Sequence, residues 1–585
     1  VQKGTFESSP FRPVPNPYFS AYVVKPGKSK VVVEGATAPD ADGVPGAWSA
    51  FKALKRGTEI PLAANGWVKY RVTLLADGTQ APSVRTIRFG DVWHTRWNFA
   101  PVTGPRVEVL TPSPTDDLTA PIRFTVGGPV AVDNRKTRVL RLTNFANSKE
   151  TTDLADRVTR EGDVYVLNPA NGTWKSGEIV KFKVESENVL GVASAETRLV
   201  RFAPKPVGPQ VSLRGDGFVQ VDGKPFFPIG IFSIKPMPQN GNSIDRAFDQ
   251  LADAGFNLAH TYLWKREDPL MKEFLDSSER HGIKLLLNPA RQEQTIPADC
   301  RRKNILAWYL ADDASRHWKP DELRMRSGFC RALDGGLNLT AQADSLGNGG
   351  RTRYYDFIPC TDVFLPELYT VNAKEPIGNE VPFVGSQMKA IYRELKEKGA
   401  VKSVWALLQH FSGWGGWERY PTRQEQRAMS YLAIIRGAHG LMWYTYGDTM
   451  SEKSPGYGAI HSEESWNDLK AVTRELAALQ DDLASPNAPT QPVPEILGGA
   501  KTDALGDPSV CALLKDNAGD KLLIAVNTAT KPVRARLSAT DVRKAEVLFE
   551  NRAIETAESG TGTHLFGFED DFGPLGVHVY RLKAW

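Results

Sequence analysis

Between Gly217 and Tyr444 the chain repeats one device eight times, a short apolar run followed by an amphipathic stretch, and few architectures accept that pattern. The runs are Phe227–Phe232, Leu258–Tyr262, Lys284–Leu287, Ile305–Leu310, Leu339–Gln342, Val363–Pro366, Val404–Leu408 and Leu441–Tyr444. Helices fit between them. Ser243 is placed to cap a helix whose apolar residues recur at helical spacing, and Gly255 to close it. Phe274 and Leu275 repeat the device, with His281 and Gly282 at the stop. Eight such units in roughly 270 residues fit a (β/α)8 barrel, for which about 250 is typical. A doubly wound sheet is the alternative, but its Gly-rich phosphate fingerprint follows none of the runs.

The flanks read differently. Trp67–Leu74 and Ile179–Glu185 are short β runs set among Gly, Pro, Asn and Asp clusters, and the second alternates from Val180 onward, the period of a half-buried strand. Pro-rich punctuation near Phe99 to Pro105, and again from Pro204 to Pro209, predicts two domain breaks. An amphipathic helix around Trp466 to Leu483 would close the barrel, and Lys521–Val526 and Gly576–Leu582 then return to β. The expected organisation is multidomain: a central TIM barrel over 209–486, N-terminal β-sandwiches over 1–98 and 99–208, and a C-terminal antiparallel sandwich over 487–585.

Composition narrows the function. With 72 basic against 68 acidic residues and no Lys/Arg block, there is no footprint for nucleic acid. No apolar run reaches the roughly 18 residues of a membrane span. Four cysteines, Cys300, Cys330, Cys360 and Cys511, lack the spacing of a zinc site; one disulfide among the first three and buried free thiols are both open. No metal or cofactor is expected. The start at Val1 rather than Met suggests a processed N-terminus and so a secreted or periplasmic protein. The 14 Trp, 16 Tyr and 26 Phe supply both cores and flat faces on which sugars stack.

In a barrel the reactive side chains lie where strands end at the C-terminal face. The first three strand ends offer Ser233 and Lys235, then His260, Tyr262 and Trp264, then Asn288, Arg291 and Glu293. Strand four ends in Asp312-Asp313, strand five in Asp344-Ser345 and strand six in Glu367-Leu368-Tyr369. Strand seven gives Gln409, His410, Trp414 and Trp417, and strand eight Tyr444, Tyr446 and Asp448. Carboxylates facing one another among aromatics and amides, without a Ser-His-Asp set, suit glycosidic bond cleavage, which needs one carboxyl group to protonate the leaving oxygen and a second as nucleophile or base. Asp312 has a helix-capping role as its competing reading, and adjacent residues of an extended strand point to opposite sides. For Asp344 the competing reading is an ordinary turn before Gly347-Asn348-Gly349-Gly350, and for His260 and His410 a satisfied histidine in the core or one that supports the site from behind.

Phe226–Gly230 after the turn Val221–Pro225, the stretch Ile305–Asp313, and Gly437–Tyr444 resemble the barrel of glycoside hydrolases related to the β-galactosidase-like superfamily, and Phe572–Tyr580 resembles the last strand of their trailing sandwich. The likeness covers about the last 370 residues. It implies an acid/base at the end of strand four, where relatives have Glu and this chain has Asp313, and a Glu nucleophile ending strand seven, where this chain has Gln409. The departure leaves Glu367 as the best-placed partner of Asp313. The expected catalytic pair is therefore Asp313 and Glu367. His260, Tyr262, Trp264, Asp312, Asp344, Tyr369, Gln409, His410, Trp414, Trp417, Tyr444 and Tyr446 are the expected contacts to a carbohydrate substrate. A non-catalytic glycan-binding protein on a hydrolase-like scaffold and a transglycosylase are the rival readings.

Overall fold

A computed structural model describes the chain apart from residues 1–2, 12–17, 25–28, 43, 56–59, 61–65, 77–81, 91–103, 129–130, 143–150, 190, 264, 290–294, 346–353, 373–379, 414–416, 449–456, 541, 559–564 and 584–585. Trp264, Arg291, Glu293, Gly347–Gly350 and Trp414, singled out above, lie outside the described residues, as does most of the break near Phe99.

The eight apolar runs form a closed parallel barrel whose strands follow one another in chain order. They are β1 (Ile229–Ile231), β2 (Leu258–His260), β3 (Lys284–Leu287), β4 (Ile305–Ala311), β5 (Leu339–Ser345), β6 (Val363–Leu368), β7 (Ser403–Gln409) and β8 (Gly440–Tyr444). Each alternates between a lumen-facing set and a set packed on the outer helices. Leu258, Leu286, Ala307, Tyr309, Ala341, Ala343, Leu365, Trp405, Leu407 and Met442 share one core, while Trp308, Phe364, Val404, Leu408 and Trp443 belong to another with the helices. Both faces are buried, as a parallel sheet requires. Trp308, Trp405 and Trp443 are fully enclosed, and truncating any one to Ala would cost roughly 3–5 kcal/mol. The lumen is too tight for a side chain at Gly230, where a Cβ would come within 2.9 Å of Met442 Cε and 3.0 Å of Leu258 Cβ.

The helices begin and stop for local reasons. In α1 (Ile244–Asp253) Ser243 Oγ accepts the Arg246 N–H at 3.2 Å, and Gly255 at φ 82° ends the helix with the Phe256 N–H returning to the Leu251 carbonyl. Next come α2 (Pro269–Arg280), α3 (Ile296–Asp299), α4 (Ala314–His317), α5 (Pro320–Asp334), α6 (Tyr354–Phe357), α7 (Pro382–Lys398), α8 (Arg423–Ile435) and α9 (Glu463–Ala478). The stretch expected as one closing helix over 466–483 is two, α9 and α10 (Gln480–Ala484), with Leu479 between them.

The chain divides into two compact units, one comprising Val1–Arg106 with Val126–Thr137 and Glu185–Ser194 and the other the remainder. In the first, Trp67–Leu75 pairs antiparallel with Lys3–Glu7 on one side and Lys30–Ala38 on the other, and Phe19, Val68, Tyr70 and Phe89 centre its core. In the second, sheets from strands between Arg106 and Phe202 precede the barrel, and Phe124 packs on Tyr165 and Phe182 with ring centroids 5.4 and 5.3 Å apart. Ser113 Oγ donates to the Ala332 carbonyl at 2.7 Å and Arg201 to that of Leu333 at 2.9 Å, so these sheets dock on the end of α5. The C-terminal sandwich has a four-stranded and a five-stranded sheet built on Val533–Thr540 and Asp520–Asn527. All four cysteines are buried and none is in a disulfide, which resolves the open disulfide question in favour of thiols. Among the described residues no helix is long and apolar enough to cross a membrane.

Candidate active site

The end of β4 is irregular, and the irregularity decides what the mouth contains. The ladder with β5 slips between Tyr309 and Ala311, and Asp313 then adopts the left-handed conformation at φ 44°, ψ 52°. A slip and a left-handed residue together cancel the alternation that would send Asp312 and Asp313 to opposite sides. Both reach the same space: each raises the pKa of Glu367 across the mouth. Asp313 takes the N-cap position of α4 that was the competing reading for Asp312. Its carbonyl accepts the Arg316 and His317 N–H groups at 2.8 and 3.1 Å, while its side chain makes no capping bond. The Asp313 carboxylate lies 3.5 Å from Arg316 and 4.0 Å from His317.

Asp344 holds that turn from behind. It is buried on β5, accepts the Ser315 hydroxyl at 2.6 Å and the Ser315 N–H at 3.1 Å, and burial lifts its pKa to about 6. It is thus no turn residue but a strand residue that fixes the segment carrying Asp313. Asp312 is gripped by two phenols. Tyr309 donates to Oδ1 at 2.6 Å and Tyr262 to Oδ2 at 3.3 Å. Solvent reaches Asp312 from the mouth, yet the protein packed around it still raises its pKa, the two hydroxyls opposing and Asp313 reinforcing the effect.

Glu367 sits half-buried near the end of β6, where Ser345 is its ladder partner on β5 and Leu407 on β7. Among the described residues it has no hydrogen-bond or ion-pair partner. Burial, then repulsion from Asp313, Asp312 and Asp344, pushes its pKa well above the usual glutamate value. A lone carboxyl facing other carboxylates in a confined mouth holds its proton.

Aromatics complete the rim. Tyr369, Phe411, Trp417 and Tyr444 form one cluster, with Tyr369 5.2 Å from Phe411, 6.0 Å from Trp417 and 5.9 Å from Tyr444. Tyr262, 39 % exposed, feels Asp312, Tyr444, Glu367 and Asp448, so these groups surround one space. His260 forms the floor, fully buried with Phe232, Tyr262 and Tyr309 around it at 4.3, 4.7 and 4.8 Å. Among the described residues neither ring nitrogen has a hydrogen-bond partner, and burial lowers its pKa to about 3. On the β8 side Asp448 accepts from Lys235 at 2.6 Å and from Tyr444 at 3.3 Å.

Three expected contacts are turned elsewhere. Gln409 spends its amide on Val371, accepting the N–H and donating to the carbonyl, both at 2.9 Å, and so clasps the segment after β6. His410 is buried behind the rim, with Nε2 2.8 Å from Ser465 Oγ and Nδ1 2.7 Å from the Gln426 amide. Tyr446 faces the helices and donates to Gln250 at 2.6 Å. Tyr309 and Ser315, in contrast, lie at the mouth without having been named from the sequence, and the Lys235–Asp448 pair, named at strand ends, lies there without having been among the expected contacts. Among the described residues no group of His, Cys, Asp and Glu is arranged to hold a metal ion.

No family model matches the chain, and no curated protein is similar to it. Among solved structures, a family 5 glycoside hydrolase from Bacteroides vulgatus is similar at 13% identity over 64% of this chain and 93% of its own, with a TM-score of 0.43. A putative glycoside hydrolase from the same organism is similar at 11% identity over 80% and 99%, with a TM-score of 0.42. Ruminococcus gnavus beta-glucuronidase is similar at 10% identity over 77% and 82%, with a TM-score of 0.33.

Proposed function

We propose that the chain is a glycoside hydrolase acting on an oligo- or polysaccharide, with Glu367 as the proton donor and Asp313 as the second carboxylate. The observation that carries this reading is Glu367 itself, without a partner among the described residues and pushed towards its protonated form by burial and then by three neighbouring carboxylates at an aromatic-lined mouth. A carboxylic acid still protonated near neutrality can give its proton to the glycosidic oxygen as the bond breaks. Asp313, held by the Asp344–Ser315 brace, serves as nucleophile or water-activating base, and the rim aromatics seat the sugar. A secreted or periplasmic location suits such a substrate and is proposed with it.

The test is turnover of a panel of aryl glycosides and polysaccharides as a function of pH. The active form carries the proton on Glu367, so kcat/KM is expected to fall as pH rises through the raised pKa, placing the alkaline limb well above the ordinary glutamate range. A limb at the ordinary value would remove Glu367 from the acid role. Tyr309→Phe tests the support. Losing the 2.6 Å bond raises the pKa of Asp312, weakens its charge opposite Glu367, and should move the alkaline limb towards acid while lowering kcat/KM about tenfold. The Gln409 clasp, which leaves no carboxylate at the end of β7, favours a second reading, a glycan-binding protein without turnover. Tight glycan binding with the whole panel left intact would establish that reading instead.

A further inference from the structure

Away from the barrel mouth, a cavity of about 370 Å³ opens where α8 meets the C-terminal sandwich. The turn 548–551 joins strands Lys544–Val547 and Arg552–Glu555 and sets Phe549 against the cavity. The Phe549 ring is 52 % exposed and its backbone is left-handed, at φ 67°. Asn551, two residues on, is left-handed too, at φ 51°, but asparagine tolerates that region whereas a bulky aromatic rarely enters it. A phenyl ring kept in water on a strained backbone fills no core, and strain of this kind collects where a surface does something.

The cavity wall beside that ring is polar and largely fixed. Arg427 is ion-paired with Glu475 at 2.7 Å. Glu550 is held by Arg552 at 2.8 Å and by a short contact to His578 Nδ1. Gln424 donates its amide to the Pro574 carbonyl, leaving its own carbonyl as an acceptor, and Arg423 presents an exposed guanidinium. A flat apolar face beside fixed donors and acceptors suits a sugar ring, whose C–H face stacks on the aromatic while its hydroxyls bond to charged groups. The volume falls in the range of small-ligand sites, about 300–1,000 Å³.

We propose that this cavity is a second carbohydrate-binding site, with Phe549 as its platform, which holds a glycan chain while the mouth acts on it. The choice of ligand rests on the glycosidase reading; the geometry does not. The test is retention of the full chain on immobilised cellulose, xylan, mannan, starch and chitin, with aryl-glycoside turnover measured in parallel. Phe549→Gly keeps the left-handed turn and removes the ring, so retention on a polysaccharide that holds the wild-type chain should weaken about tenfold, with Tm unchanged or higher and aryl-glycoside turnover unaffected. Phe549→Trp should retain it. Equal retention of Phe549→Gly, or no retention of the wild-type chain by any of these polymers, overturns the site. Weakened retention in a protein that turns over no glycoside upholds the cavity and removes the mouth reading, whereas turnover with retention insensitive to Phe549 removes the cavity alone.

Discussion

Glu367→Gln should lower kcat by about 10³-fold while leaving KM close to the wild-type value, because the amide keeps the shape of the side chain and cannot donate a proton in the transition state. Two further signatures separate this from general damage. Aryl glycosides with acidic leaving groups need little protonation and should lose far less than alkyl glycosides. The variant should also melt higher. The pKa of Glu367 is raised in the folded state, so folding favours its protonated form; wild-type stability is greatest below the ordinary glutamate pKa and declines as pH rises through the raised one. The glutamine carries no charge to repel and escapes that loss. A full-activity variant, or an equal loss across leaving groups, would remove Glu367 from the acid role.

The largest stability effect is expected at Glu425→Ala. The Glu425 carboxylate is fully buried and takes a two-pronged ion pair from Arg419, at 2.7 and 2.9 Å. It also closes a capping box at the start of α8, where it accepts the Thr422 N–H at 2.9 Å and Thr422 Oγ1 accepts the Glu425 N–H at 3.2 Å. Removing it takes from the Arg419 guanidinium its two-pronged carboxylate partner, with the Tyr420 carbonyl at 3.1 Å still in reach, and leaves one helix-end donor unmet, for a loss of about 4 kcal/mol. Urea unfolding would measure this, and a loss below about 1 kcal/mol would show that Arg419 finds water or another partner. The segment from Phe411 to Thr422 carries Trp417 on the rim, so sugar affinity should fall with stability.

The barrel was legible because burial on both faces forces apolar runs of strand length, and helix stops such as Gly255 punctuate them. The runs break off too early at the barrel mouth. Strands β5 and β6 continue to Ser345 and Leu368, past polar residues that end the apolar pattern but not the ladder, since Asp344 still pairs with Pro366 and Ser345 with Glu367. Scanning strand ends therefore reached Asp313, Glu367 and Asp344, which lie near one another at the mouth. It could not tell which way each faces. Gln409, His410 and Tyr446 occupy strand-end positions as good as that of Tyr369, and only packing shows them spent on backbone or helices. Tyr309 was hidden for the opposite reason, lying inside an apolar run where it reads as core. Its place on the lumen face, in step with Ala307, was the signal available. The left-handed turn at Asp313 left no mark in the sequence, since its brace, Ser315 to Asp344, spans 29 positions.

The four buried thiols bear on how the fold meets oxidants. Cys300, Cys360 and Cys511 are enclosed so thoroughly that burial lifts their pKa to about 11, about 12 and about 11, and a thiol that cannot ionise is a poor partner for disulfide exchange. These three thiols are accordingly slow to exchange in the folded chain. None of the four cysteines is in a disulfide, so the fold holds together without cross-links, and the enclosed thiols offer an oxidant little to attack.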